Sequence, residues 1–179
     1  HEISKAATHK SPERWRDLLT QINVDTCGGG FMHGILEAHI GDDPNFKLEG
    51  KTIVDLCGDN HLQHKDRSCS HILGHLILVQ EEGNLGKGLG ICTQLSQTVL
   101  EEECYTGIFM EDSFKTSLAD HGLAEIPIRD RVRMERQTQR CLKYSSVAGN
   151  ACWVDLAELF VEFYNYDPEK TYEHCYSAP

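Results

Sequence analysis

Cysteine placement constrains this chain more than any other feature. Eight cysteines occur in 179 residues. Six fall into three pairs, Cys57 with Cys69, Cys92 with Cys104 and Cys141 with Cys152, with 11, 11 and 10 residues between the partners. No C-x-x-C spacing occurs, which argues against a zinc ribbon or a thioredoxin-like site, and no C-x-x-C-H occurs, which removes covalently attached haem. An even number of cysteines at wide, regular intervals is the pattern of structural disulfides in an oxidising compartment. The competing reading is eight reduced, buried cysteines in a cytosolic protein.

The cysteines also reveal a repeat. Superposing Cys27, Cys69, Cys104 and Cys152 aligns CGGGFMHGILEA, CSHILGHLILVQ, CYTGIFMEDSFK and CWVDLAELFVEF. Each segment reads as a helix opened by cysteine, with apolar residues at three- and four-residue intervals. A second helical stretch precedes each one: Pro12 to Ile22 (with Ser11-Pro12-Glu13 as a start signal), Lys51 to Cys57, Gly88 to Thr98, and Ile128 to Tyr144. Asp167 through Cys175 reads as the opening helix of a fifth unit. The superposed cysteines lie 42, 35 and 48 residues apart, the range of helical-hairpin repeats.

The expected fold is therefore all-α: a single domain over residues 1–179, a solenoid-like, right-handed array of helical hairpins stapled by intra-repeat disulfides. The units run approximately 11–45, 46–85, 86–123 and 124–166, with a partial unit at 167–179. Each staple closes a loop of about 12 residues, worth roughly 3 kcal/mol in the chain-entropy account. Cys27 and Cys175 are left over; they either pair with each other or stay free. In architecture this plan resembles disulfide-bearing helical-repeat proteins built of stapled helix pairs. Their small-residue signature is not matched, so no residue roles carry over.

Composition narrows the partners. Seventeen Lys and Arg stand against 28 Asp and Glu, a formal charge of −11, which argues against nucleic-acid backbones and anionic membranes. No apolar run approaches the ~18 residues of a membrane span, so direct membrane insertion is not expected. The chain opens at His1 without a charged-then-apolar leader, as expected of an exported chain after signal removal. An extracytoplasmic location follows: periplasmic, cell-surface or secreted.

The sixth residue after each superposed cysteine is His33, His75, Met110 and Glu158. Six positions advance a helix by about 600°, so these side chains share a direction relative to their own cysteine. His71 precedes His75 by four and shares its face. Two readings stand. In the first, His33, His71, His75 and Met110 are packing residues. In the second they bind metal, with His33, His75 and Met110 suiting copper or non-covalent haem iron, and His71 and His75 with a carboxylate such as Glu111 suiting zinc. The nearby glycines Gly28–Gly30, Gly34, Gly74 and Gly107 serve either close helix approach or access for a flat cofactor.

Four lesser features complete the survey. Asp59, His61, His64 and Asp66 read as a solvated loop with a weaker metal-chelate alternative. His1 is a remote candidate for terminal copper chelation. The run Gly83 to Gly90 reads as a connector between units rather than a phosphate loop. Arg129 to Arg140 reads as a solvated basic face. No G-x-S-x-G, H-E-x-x-H or P-loop signature occurs. The functional expectation is a binding or assembly module, an accessory subunit held by a protein partner. The alternative is a copper- or haem-binding protein, and a weaker one is an enzyme of unrecognised type at the same residues.

Overall fold

The computed structural model describes residues 2–10, 14–20, 30–41, 46–57, 66–114 and 131–176. Among these residues the chain is all-helical, without strands. The helices are α1 (Glu2–Lys10), α2 (Trp15–Thr20), α3 (Gly30–Gly41), α4 (Gly50–Cys57), α5 (Asp66–Gln80), α6 (Leu85–Cys92), α7 (Thr98–Phe114), α8 (Arg131–Cys141), α9 (Ser146–Phe163) and α10 (Pro168–Tyr176).

Three disulfides join Cys57 to Cys69, Cys92 to Cys104 and Cys141 to Cys152, with Cα–Cα distances of 5.5, 5.8 and 5.5 Å. In each pair the first cysteine is the last residue of its helix: Cys57 ends α4, Cys92 ends α6 and Cys141 ends α8. The second does not open its helix, contrary to the sequence expectation. Cys69 is the fourth residue of α5, whereas Cys104 and Cys152 are each the seventh residue of α7 and α9. Each staple thus grips the following helix one to two turns in. All six sulfurs belong to fully buried residues in the core.

Within a hairpin α4 packs on α5, α6 on α7 and α8 on α9; the longer helices also pack on one another in chain order, α3 on α5, α5 on α7 and α7 on α9. Ile35, Leu36, Ile53, Ile72, Leu73, Ile77, Leu100, Ile108, Phe109, Leu156 and Phe160 fill the space between them. Burying a side chain of this size stabilises by about 1.5–3 kcal/mol, which drives the helices together. The α5–α7 crossing is unusually close, and two glycines explain it. A Cβ on Gly74 would lie 2.3 Å from the Cys104 carbonyl oxygen, and one on Gly107 would lie 1.9 Å from that of His71. These glycines serve helix approach. The space beside these two is filled by backbone, while Gly28 and Gly29 lie outside the described residues.

Polar ties fix the register. Ser70 Oγ donates to Leu100 O at 2.7 Å, Arg67 Nε donates to Glu103 at 2.7 Å, and Gln94 Oε1 accepts from Gly50 N at the start of α4 at 3.2 Å.

The structure corrects several expectations. Helix α1 packs on α3 and lies outside the expected repeat units. The run Gly83–Gly90 is mostly helix rather than connector: Asn84 caps α6, its Oδ1 accepting from Lys87 N at 3.1 Å, and only Gly83 (φ 78°) has the turn geometry that favours glycine. The helix expected over 88–98 is α6, which begins earlier and ends at Cys92. Arg140 is not solvated; it bonds Asp112 and Ser113 and lies 3.8 Å from Asp155. Cys175 is exposed with a free thiol, and Cys27, the partner considered for it, lies outside the described residues. His1, Asp59, His61 and His64 also lie outside them.

Candidate functional site

The α5–α7 crossing brings chemistry into the core. His71 and His75, four apart on α5, fall on one face as helix geometry requires, and their Nε2 atoms lie 3.1 Å apart. His75 is 5% exposed, and its Nδ1 lies 3.1 Å from Oε2 of Glu111 on α7, also 5% exposed. His71 Nδ1 lies 3.1 Å from Thr106 Oγ1. His33, on α3, completes a row of three rings: its centroid is 5.4 Å from that of His75, and its Nδ1 is 3.8 Å from Oε1 of the buried Glu37.

The hydrogen-bond chain assigns the protons. Thr106 Oγ1 donates its one hydrogen to Glu103 O at 2.7 Å, so toward His71 it accepts, and His71 Nδ1 carries the hydrogen. The Glu111 carboxylate accepts from His75, so His75 Nδ1 carries one too. With both rings neutral, two bare Nε2 lone pairs would face each other at 3.1 Å. A proton on one Nε2 resolves this, and so does a metal ion bound to both from beside the line that joins them. Burial, followed by the charges of His75 and His33 and opposed by Glu103, pushes the His71 pKa down to about 4. His71 is therefore neutral near pH 7.

Of the four residues singled out in the sequence, the structure brings together His33, His71 and His75. Met110 is half-buried, and the α7 side chain that meets His75 is its neighbour Glu111. Glu158 is exposed on α9. Counting from a cysteine locates a helix face but not the residue that crosses to another helix; the glycine-set approach of α5 to α7 decides that. Thr106 and Glu37 carried no sequence signal beyond their position one turn from a cluster residue. Among the described residues, no group of three or more His, Cys, Asp or Glu side chains is arranged to hold a metal ion as it stands. What stands ready is a pair of imidazole nitrogens, oriented from behind by Glu111 and Thr106.

A second feature lies at the other end of the chain. Helix α10 buries none of its residues. It leans on α9 through His174, whose ring lies 4.2 Å from that of Phe160 and whose Nδ1 is 2.8 Å from Tyr164 Oη. Tyr166, Tyr172 and Tyr176 are 73%, 67% and 79% exposed, and the last two stack on each other at 5.8 Å.

No helix among the described residues is long and apolar enough to cross a membrane. No protein-family model matches the chain, and neither a curated protein nor a solved structure does.

Proposed function

We propose that the chain is a binding module of an extracytoplasmic compartment. It would be a solenoid-like array of stapled hairpins that serves as an accessory subunit in a larger assembly. The observation that carries this reading is α10. Its tyrosines face outward, although tyrosine is a residue that protein interfaces favour and that cores normally take in. In the repeat, α10 occupies the place of a hairpin's first helix, and the partner would cover the side that a second helix covers elsewhere. The three disulfides support the compartment, since reducing cytosol rarely leaves such bonds in place. They also suit a scaffold, because short staples keep small units rigid.

The test is photo-cross-linking in the native compartment, with a photoreactive residue at Tyr172 or Tyr176 and controls at Lys143 and Glu158, both exposed elsewhere. The expected result is one discrete cross-linked protein from the α10 positions and none from the controls. No product from α10, or the same products from all four positions, would overturn the reading.

A further inference from the structure

Partner binding leaves the buried histidines unexplained, and their geometry is specific. We propose that Nε2 of His71 and Nε2 of His75 are the protein ligands of a single late first-row transition-metal ion, with Glu111 and Thr106 as positioning residues and His33 as the neighbouring ring.

Four observations support the site. First, each ring has its Nδ1–H committed, His75 to the Glu111 carboxylate and His71 to Thr106 Oγ1, which leaves Nε2 as the donor. A metal-binding histidine commonly donates its other N–H to a carboxylate or a similar acceptor, which sets the tautomer and raises the ring's basicity. Second, the nitrogens lie 3.1 Å apart. With metal–imidazole bonds of roughly 2.0–2.1 Å they subtend about 100° at an ion, an angle of three- or four-coordinate geometry. Third, the next ring is at hand: the His33 centroid is 5.4 Å from that of His75. Fourth, the side chains of Glu111 and Glu37 are both buried and lie against the rings of His75 and His33.

The donor set decides the class of ion. Imidazole without thiolate suits copper and zinc, and calcium and magnesium require oxygen donors in number. Copper leads the affinity order among divalent ions of this row. The site is independent of the α10 surface, so failure of either proposal leaves the other standing.

The experiment uses the full chain with its disulfides intact, stripped of metal by chelator dialysis. Copper(I), added as its acetonitrile complex without oxygen, and zinc(II) are each titrated against a chromophoric competitor. Both ions are diamagnetic, so 15N spectra of the histidine rings are read in parallel. The expected result is saturation at a single ion per chain, with the Nε2 signals of His71 and His75 moving and their Nδ1 protons retained. Glu111→Gln and Thr106→Val should each weaken binding roughly 10- to 100-fold. His71→Gln/His75→Gln should abolish it; if that variant does not fold, the wild-type ring spectra still decide. Three results would overturn the site: no stoichiometric uptake of either ion, movement confined to other histidines, or undiminished affinity in both positioning variants.

Discussion

Replacing Gly107 with alanine tests the close approach of α5 and α7, on which the histidine site depends. The added Cβ would lie 1.9 Å from the His71 carbonyl oxygen, 2.9 Å from its carbon and 3.2 Å from the Gly74 Cα. Those atoms are backbone of a packed helix and cannot rotate away, so the helices must separate. In a well-packed core, overpacking costs about 1–3 kcal/mol and occasionally more. Alanine's better helix propensity returns at most about 1 kcal/mol. A Cβ this close to backbone belongs at the upper end of the range, leaving a net loss of about 2 kcal/mol. For a chain of this size that lowers the melting temperature by roughly 4–8 °C. Gly90→Ala is the internal control: it also lies in a helix, but its new Cβ meets nothing within 4 Å. There propensity acts alone, and stability should rise by about 0.5–1 kcal/mol. Urea unfolding monitored by circular dichroism, with the disulfides intact, measures both. Gly107→Ala matching Gly90→Ala in sign would refute the packing account.

Three further outcomes follow from other parts of the structure. Replacing Cys92 and Cys104 together with alanine opens a staple whose ends are 12 residues apart and should cost about 3 kcal/mol, read as a lower urea midpoint. Arg140→Ala removes a cation from among Asp112, Ser113 and Asp155, and also from over the Phe109 ring at 5.3 Å; a loss of about 3 kcal/mol is expected by the same assay. In metal-free protein, His71 is harder to protonate folded than unfolded, its pKa falling from 6.5 to about 4. The unfolded chain therefore takes up the extra proton between those values. The His71 contribution is complete above pH 6.5 and is lost as pH falls to about 4, of order 2–3 kcal/mol. A pH series of melting temperatures should show this slope, flattened in His71→Gln.

The staples were legible because loop closure is local: cysteines 11 or 12 positions apart, flanking a turn, have few other ways to pair. The face shared by His71 and His75 was legible for the same reason, being set by helix periodicity alone. What the sequence could not show was set between helices. Glu111 rather than Met110 meets His75 because two glycines fix how α7 crosses α5. Arg140 lies inward because Asp112 and Asp155 arrive from α7 and α9, neither of them near it in sequence. Cys104 and Cys152 sit well inside their helices because α7 and α9 each start six residues earlier, at Thr98 and Ser146, and a cysteine is no helix start signal. Helix α1 had no cysteine and no repeat to mark it.

The account turns on two facing Nε2 atoms in the core, and the direct measurement is long-range 1H–15N correlation of the histidine rings in metal-free protein across pH. The predicted spectrum at pH 7 has His71 as the neutral Nδ1–H tautomer, holding that state until the pH nears about 4, and His75 with its hydrogen on the Nδ1 that faces Glu111. A His71 ring that carries its hydrogen on Nε2, or that titrates near 6.5, would contradict the hydrogen-bond chain from which the site is built.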